Sequence, residues 1–169
     1  PGVDILVPDA IRSVLVGVRP DLVVNCAAMT DVDGCEREPE RAFEVNAVGA
    51  ENVARVAESL GVPLVHVSTD FVFDGTAGRR YRESDAARPQ SVYGVSKLKG
   101  EELVRRACSR AFVVRSGYLY GGGGRNFGST LVPRLRRGEP IRADRSRRVA
   151  PTWVRPLAES ILRIGGSGK

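Results

Sequence analysis

The stretch Asp21-Leu-Val-Val-Asn-Cys-Ala-Ala28 decides the fold. It is short and almost wholly apolar, without the in-out alternation of a half-exposed strand, so it predicts a parallel β-strand buried on both faces. Upstream, residues 9–18 predict a helix, with Ile11, Val14, Leu15 and Val18 on one stripe, Arg12 and Arg19 turned outward, and Pro20 as its stop. Downstream, residues 38–60 predict one long helix. Pro39 lies in its first turn, Gly61 closes it, and Ala42, Val45, Gly49, Val53, Val56 and Leu60 share a stripe. A second buried strand follows at Pro63-Leu-Val-His-Val-Ser-Thr69, then a helix over residues 92–108 and a strand at Ala111-Phe-Val-Val-Arg115. Strands alternating with crossovers longer than about a dozen residues imply the α/β class, a Rossmann-like doubly wound parallel sheet with helices on both faces. Beyond it the pattern loosens into a glycine cluster at residues 121–124, a helix over 127–137, a short strand at 140–143 and a last helix over 154–164.

Composition is that of an ordinary globular chain. Of 169 residues 42% are hydrophobic and 27% charged, with no apolar run long enough for a membrane-spanning helix. The first residue is proline, and the opening residues lack a basic-then-apolar leader pattern, so the chain reads as a segment of a longer protein. Its formal charge of +6 rests on arginine, with only 3 lysines. Such a bias suits either a polyanionic partner or a GC-rich coding sequence, and the second is the plainer account. Three cysteines, Cys26, Cys35 and Cys108, form no CxxC pair and suggest neither a disulfide framework nor a metal site, which points to a reducing, cytoplasmic setting.

In doubly wound folds ligands bind outside the carboxyl ends of the strands. Those ends are Asn25-Cys-Ala-Ala28, Val67-Ser-Thr-Asp70 and Arg115-Ser-Gly117, all running into small or hydroxylated residues that let a flat ring approach the backbone. Tyr93-Gly-Val-Ser-Lys97 places a phenol and an ammonium four apart on one helix face. A neighbouring ammonium favours phenolate, which predicts a lowered Tyr93 pKa and a usable proton donor or acceptor. His66, inside a predicted buried strand, reads as a packed or hydrogen-bonded core residue rather than a catalyst.

Four strings carry a family resemblance: Val24-Asn-Cys-Ala-Ala-Met-Thr-Asp-Val-Asp-Gly-Cys-Glu36, Val67-Ser-Thr-Asp-Phe-Val-Phe-Asp-Gly75, Ser91-Val-Tyr-Gly-Val-Ser-Lys-Leu-Lys-Gly-Glu101 and Arg115-Ser-Gly-Tyr-Leu-Tyr-Gly121. In this order they resemble the dTDP-4-dehydrorhamnose reductase family of the extended short-chain dehydrogenase/reductase superfamily, over nearly the whole chain. The resemblance implies hydride transfer from NADPH, or NADH, to C4 of a nucleotide-linked 4-keto-6-deoxy sugar, giving dTDP-L-rhamnose. It implies that Tyr93 protonates the C4 oxygen, Lys97 binds the nicotinamide ribose, and Thr69 hydrogen-bonds the keto oxygen. Ala27 and Ala28 would line the cofactor crevice, Asp4 and Ile5 would flank the adenine, and Asp70 and Phe71 would touch sugar. Many relatives have tyrosine in place of Phe71. Asn126 and Phe127 resemble a loop beside the nucleotide.

The resemblance also implies a division into a partial NAD(P)-binding domain over residues 1–120 and part of a substrate-binding lobe over 121–169. It would lack its first β-α-β unit, because no GxxGxxG turn occurs in the chain. Seven arginines between Arg134 and Arg148, with no aromatic residue interleaved from Phe127 to Trp153, suit a substrate diphosphate or a solvated face better than nucleic acid. The expected partners are therefore a nucleotide sugar and, as an open option, a second copy in a homodimer, with neither nucleic acid nor membrane. Two other readings compete with the reductase. One is a non-catalytic regulatory subunit of the kind that accompanies methionine adenosyltransferase, and the other is a nucleotide-sugar 4-epimerase or dehydratase using the same Tyr-x-x-x-Lys pair.

Overall fold

A computed structural model describes residues 2–123, 126–141 and 149–166. Three parallel strands form the sheet, β1 (Val23–Asn25), β2 (Leu64–Thr69) and β3 (Ala111–Ser116), side by side in that order. Val23 pairs with Leu64 and Leu64 with Ala111, so the strands start level. Helix α1 (Pro8–Val18) precedes β1; its last turn ends at Arg19, which takes a left-handed conformation ahead of Pro20. Between β1 and β2 lie α2 (Val32–Arg37), α3 (Pro39–Phe43) and α4 (Ala50–Ser59); between β2 and β3 lies α5 (Val92–Ala107).

The core is where these helices meet one face of the sheet. Ile11 of α1, Ala50, Val53, Ala54, Val56 and Ala57 of α4, Leu64 of β2 and Val104 of α5 form one buried cluster. Side chains alternate along a strand. Leu64, His66 and Ser68 thus face α4 and α5, while the buried Val65 lies on the alternate face, where α7 (Val154–Gly166) packs against β2 and β3. A second, two-stranded parallel pair, β4 (Leu119–Tyr120) with β5 (Thr152–Trp153), adjoins α6 (Phe127–Arg136).

The parallel α/β architecture is the expected one, and three details differ from the sequence reading. The first strand is three residues long, and its burial is uneven: Asn25 is buried but Val24 exposed, because β1 pairs with β2 alone and its other edge carries no strand among the described residues. The expected single helix over residues 38–60 is interrupted by one π-type turn, Glu44–Gly49, between α3 and α4. Of the strand expected at 140–143, Pro140 and Ile141 are in no strand, and the rest lies outside the described residues, as do the arginines from Arg142 to Arg148.

Close approach explains two glycines of α5. A Cβ on Gly94 would sit 2.3 Å from the Phe71 carbonyl oxygen, and one on Gly100 would sit 2.2 Å from the Asn46 carbonyl oxygen in the π-type turn. Both backbones are fixed by their own helical bonds and have little room to retreat. Gly17 in α1, by contrast, has nothing within 4 Å. We therefore expect Gly100→Ala to destabilise the protein by roughly 1–3 kcal/mol through overpacking, while Gly17→Ala stabilises it by roughly 0.5–1 kcal/mol through helix propensity. Urea-denaturation midpoints that move in opposite directions are the expected result.

Candidate active site

Thr69 ends β2, and its side-chain oxygen accepts the Phe71 N–H at 3.2 Å, capping the tight turn Asp70–Val72. Ser91 caps α5 by accepting the Gly94 N–H at 3.1 Å, which fixes where the helix starts and brings Tyr93 into its first turn. The Thr69 hydroxyl stands near enough to the Tyr93 phenol to bear on its protonation. The Phe71 ring meets the Tyr93 ring edge-on at 5.5 Å between centroids and lies 6.4 Å from that of Tyr118. The Thr69 hydroxyl also donates to Asp70 at 3.4 Å. Thr69, Asp70, Phe71 and Tyr93 therefore form one cluster at the carboxyl end of β2.

Lys97 follows one turn along α5 and is 2% exposed. Its ammonium does not point at the phenol. Nζ donates to the Val67 carbonyl at 2.8 Å and lies 3.3 Å from His66 Nε2. Burial pulls the Lys97 pKa down to about 8, against the attraction of Glu101 and Cys26. The expected lowering of Tyr93 is accordingly not found. Burial pushes the phenol up, with Asp70 and Cys35 adding to the rise, and the neighbouring Thr69 hydroxyl opposes it only in part. The Tyr93 hydroxyl is protonated at neutral pH.

Next along the same face comes Glu101, fully buried. It accepts from Ser68 at 2.6 Å, from Arg115 of β3 through two bonds at 2.8 and 2.6 Å, and from Arg105 at 3.2 Å. Burial alone would raise its pKa, but the bonds from Arg115 and Ser68 outweigh it and hold the carboxylate below its ordinary value. Arg115 also lies 4.9 Å over the Phe73 ring, which stacks on Tyr81 at 4.1 Å. One carboxylate thus ties α5 to two strands and, through Arg115, to the loop after the Thr69 turn.

Asn46 is a functional candidate that the sequence reading missed. From the π-type turn its buried amide brackets Met29, accepting the N–H at 2.8 Å and donating to the carbonyl at 3.1 Å. It also donates to Ser96 of α5 at 3.0 Å. It therefore shapes the loop after β1 from within the helix, and π-type turns often mark functional positions. An asparagine amid the apolar stripe of that helix was the available signal.

The other expected residues are spread more widely. Ala27 is exposed and, with Ile5, Val24 and Cys26, lines an apolar cleft of about 350 Å³ beside β1; Ala28 is half-buried next to it. Asp4 is exposed, and its carboxylate accepts the Leu6 N–H at 2.9 Å. Asn126 opens α6 as a reciprocal cap with Ser129, accepting the Ser129 N–H at 3.0 Å. Phe127 begins that helix, and its side chain lies outside the described residues. Arg134 and Arg137, from the arginine-rich segment, both pair with Glu139, at 2.9 and 2.7 Å.

A parallel sheet with a Thr, a Tyr and a Lys four residues on, gathered at one strand end, is the arrangement of the short-chain dehydrogenase/reductase fold. The chain belongs to the RmlD substrate binding domain family, whose model matches residues 1–167. It is 43% identical over 154 residues, 88% of this chain and 50% of the relative, to a dTDP-4-dehydrorhamnose reductase of Mycobacterium tuberculosis. It is 38% identical over 146 residues, 86% of this chain and 52% of the relative, to the spore coat polysaccharide biosynthesis protein SpsK of Bacillus subtilis. Among solved structures, a dTDP-4-dehydrorhamnose reductase of Clostridium acetobutylicum superposes with a TM-score of 0.91 at 35% identity, covering 98% of this chain and 59% of that one. One from Bacillus anthracis, solved in complex with NADP, gives 0.89 at 33% identity, covering 98% and 59%. The chain thus spans about half the length of the curated relatives it matches.

His66 makes the site sensitive to acid. Burial first, then the charge of Lys97, lowers its pKa to about 3, against the pull of Glu101. Unfolding returns it to about 6.5, so between these two values the unfolded chain binds a proton that the folded chain does not. Stability therefore falls as pH drops through that window. In denaturant titrations on the full-length protein, wild type should lose about 2 kcal/mol more between pH 7 and pH 5 than His66→Gln does.

Proposed function

We propose that this chain carries the proton-transfer part of a reductase that moves hydride from NADPH, or NADH, to C4 of a dTDP-linked 4-keto-6-deoxy sugar. The substrate is dTDP-4-dehydrorhamnose and the product dTDP-L-rhamnose. The observation that supports this most directly is the gathering of Thr69, Phe71 and Tyr93 at the carboxyl end of β2, with the phenol protonated at neutral pH. A hydride added to a carbonyl carbon leaves an alkoxide, which needs a proton donor held within hydrogen-bond reach. Tyr93 supplies that proton to the C4 oxygen, and Thr69 donates a second hydrogen bond to it. Asp70 and Phe71, which share the cluster, contact the sugar.

The residues beside the crevice suit a dinucleotide. Side chains at Cys26, Ala27 and Ala28 are no larger than a thiol, so a flat ring can reach the backbone there, and Asn25 holds the Ala27 N–H at 3.0 Å so that this backbone stays fixed. The cofactor, when bound, supplies the hydride. Lys97 and Tyr93 hold its ribose, Ala27 and Ala28 lie along it, and Asp4 and Ile5 flank its adenine. Asn126 and Phe127, at the start of α6, contact the nucleotide of the substrate. Within this reading residues 1–120 serve the cofactor and the proton transfer, and residues 121–169 serve the substrate.

Replacing Tyr93 by Phe tests the assignment, because it removes the proton donor and keeps the ring against Phe71. In the full-length protein kcat for the 4-keto sugar nucleotide should fall by about 10²- to 10⁴-fold, with NADPH affinity by calorimetry weakened by no more than about tenfold, the worth of one ribose hydrogen bond. Unchanged kcat would remove Tyr93 from the proton-transfer step.

A further inference from the structure

Three buried polar side chains run in a line from β1 to α5. Asn25 Nδ2 lies 3.2 Å from His66 Nδ1, and Lys97 Nζ lies 3.3 Å from His66 Nε2. All three residues are nearly inaccessible to water, at 5%, 0% and 2% exposure, so each nitrogen must find its partner within the chain. The orientation of the Asn25 amide is not free: its Oδ1 accepts the Ala27 N–H at 3.0 Å, and the reverse orientation would set an NH₂ group against that N–H. Asn25 therefore presents donors to His66, and His66 Nδ1 must accept.

A neutral imidazole that accepts at Nδ1 carries its proton on Nε2. That N–H points at the Lys97 nitrogen. An amine can accept it while donating to the Val67 carbonyl at 2.8 Å; an ammonium, with donors only, cannot. His66 can thus satisfy Asn25 and a neutral Lys97 together, but not Asn25 and a charged Lys97.

We propose that Asn25 and His66 form a positioning device for Lys97. Asn25 holds the His66 proton on Nε2, His66 turns that N–H toward the lysine nitrogen, and Lys97 is kept ready to release its proton. The other titratable groups facing Lys97 are Glu101 and Cys26, which favour the charged form; Arg115 and Arg105 occupy much of the Glu101 charge, and Tyr93 stands one turn before Lys97 on α5. Burial lowers Lys97 toward the neutral form, to about 8, so the arrangement is complete once the lysine has released its proton above that pH. The proposal deepens the reductase reading, and only its kinetic arm rests on that reading.

Long-range ¹⁵N NMR of the histidine-labelled full-length protein reads the tautomer, with the His66 signals assigned by their loss in His66→Gln. At about pH 9, above the Lys97 titration, wild type should carry its proton on Nε2. In Asn25→Asp the added oxygen accepts where Asn25 donated, and the proton should move to Nδ1. Asn25→Ala removes the donor without adding charge. There the Lys97 titration, followed by ¹³C NMR of its side chain and assigned by its loss in Lys97→Arg, should rise by about one pH unit. The pH dependence of kcat/KM for 4-keto sugar reduction should shift by the same amount. A wild-type proton on Nδ1 at that pH, or an unmoved Lys97 titration in Asn25→Ala, would overturn the proposal. If the protein reduces no such sugar, the two NMR measurements still decide it.

Discussion

Everything in the candidate site depends on where α5 lies against the sheet, and that is set by the buried carboxylate of Glu101. A carboxylate with no exposed surface is costly unless its lone pairs are filled. Here Ser68, Arg115 and Arg105 fill them, drawing on β2, β3 and the following turn of α5. Apolar contacts between Val104 and the α4 face supply area but little direction, since a helix can slide on an apolar surface. A two-pronged Arg–carboxylate bond cannot slide without breaking. The stability such a pair adds over an apolar replacement is small, so its main consequence is register: with Glu101 fixed, Lys97 and Tyr93 are fixed one and two turns earlier.

The opposite wall is set by close backbone approach. Gly94 lets the first turn of α5 touch the Phe71 carbonyl, and Gly100 lets its middle touch the Asn46 carbonyl. The second contact involves a stretch of backbone that is not ordinary helix. In the π-type turn Asn46 faces inward with its amide free to serve Met29 and Ser96. The loop after β1 and the helix bearing Tyr93 are therefore held to the same side chain. The expected cofactor ledge at Ala27 and Ala28 cannot shift far without disturbing α5.

Much of this was legible in the sequence because it rests on periodicity. The apolar runs at β2 and β3, the helix stripe through Val53 and Val56, and the i, i+4 spacing of Tyr93 and Lys97 all report a local repeat, and local repeats survive in one dimension. The π-type turn did not show, since it adds one residue to a turn and leaves the composition of the stripe unchanged. The exposure of Val24 did not show either: an apolar run reports that a strand is suited to burial, and whether something covers it depends on a neighbour far along the chain. Glu101 was visible as the next step on the Tyr93–Lys97 face, but its partners Ser68 and Arg115 are brought to it only by the pairing of β2 with β3.

Tyr93 and Lys97 share one face of α5, yet their side chains have different partners. Spacing alone suggests an ammonium beside a phenol, and hence a tyrosine tuned toward phenolate. Spacing places two residues on one helix face, however, and a lysine side chain is long enough to choose among several targets. In this fold the side chain turns inward: its nitrogen donates to the Val67 carbonyl at the end of β2, and His66 lies beside it. The phenol is left with Thr69 and the negative charge of Asp70, both at the mouth of the site. A proton donor needs its proton at working pH more than it needs an easily lost one, and a raised tyrosine meets that need. Lys97, lowered by burial toward neutrality, is the group of the two whose charge responds to its surroundings, so the tuning of this site lies in the lysine and its buried neighbours rather than in the tyrosine.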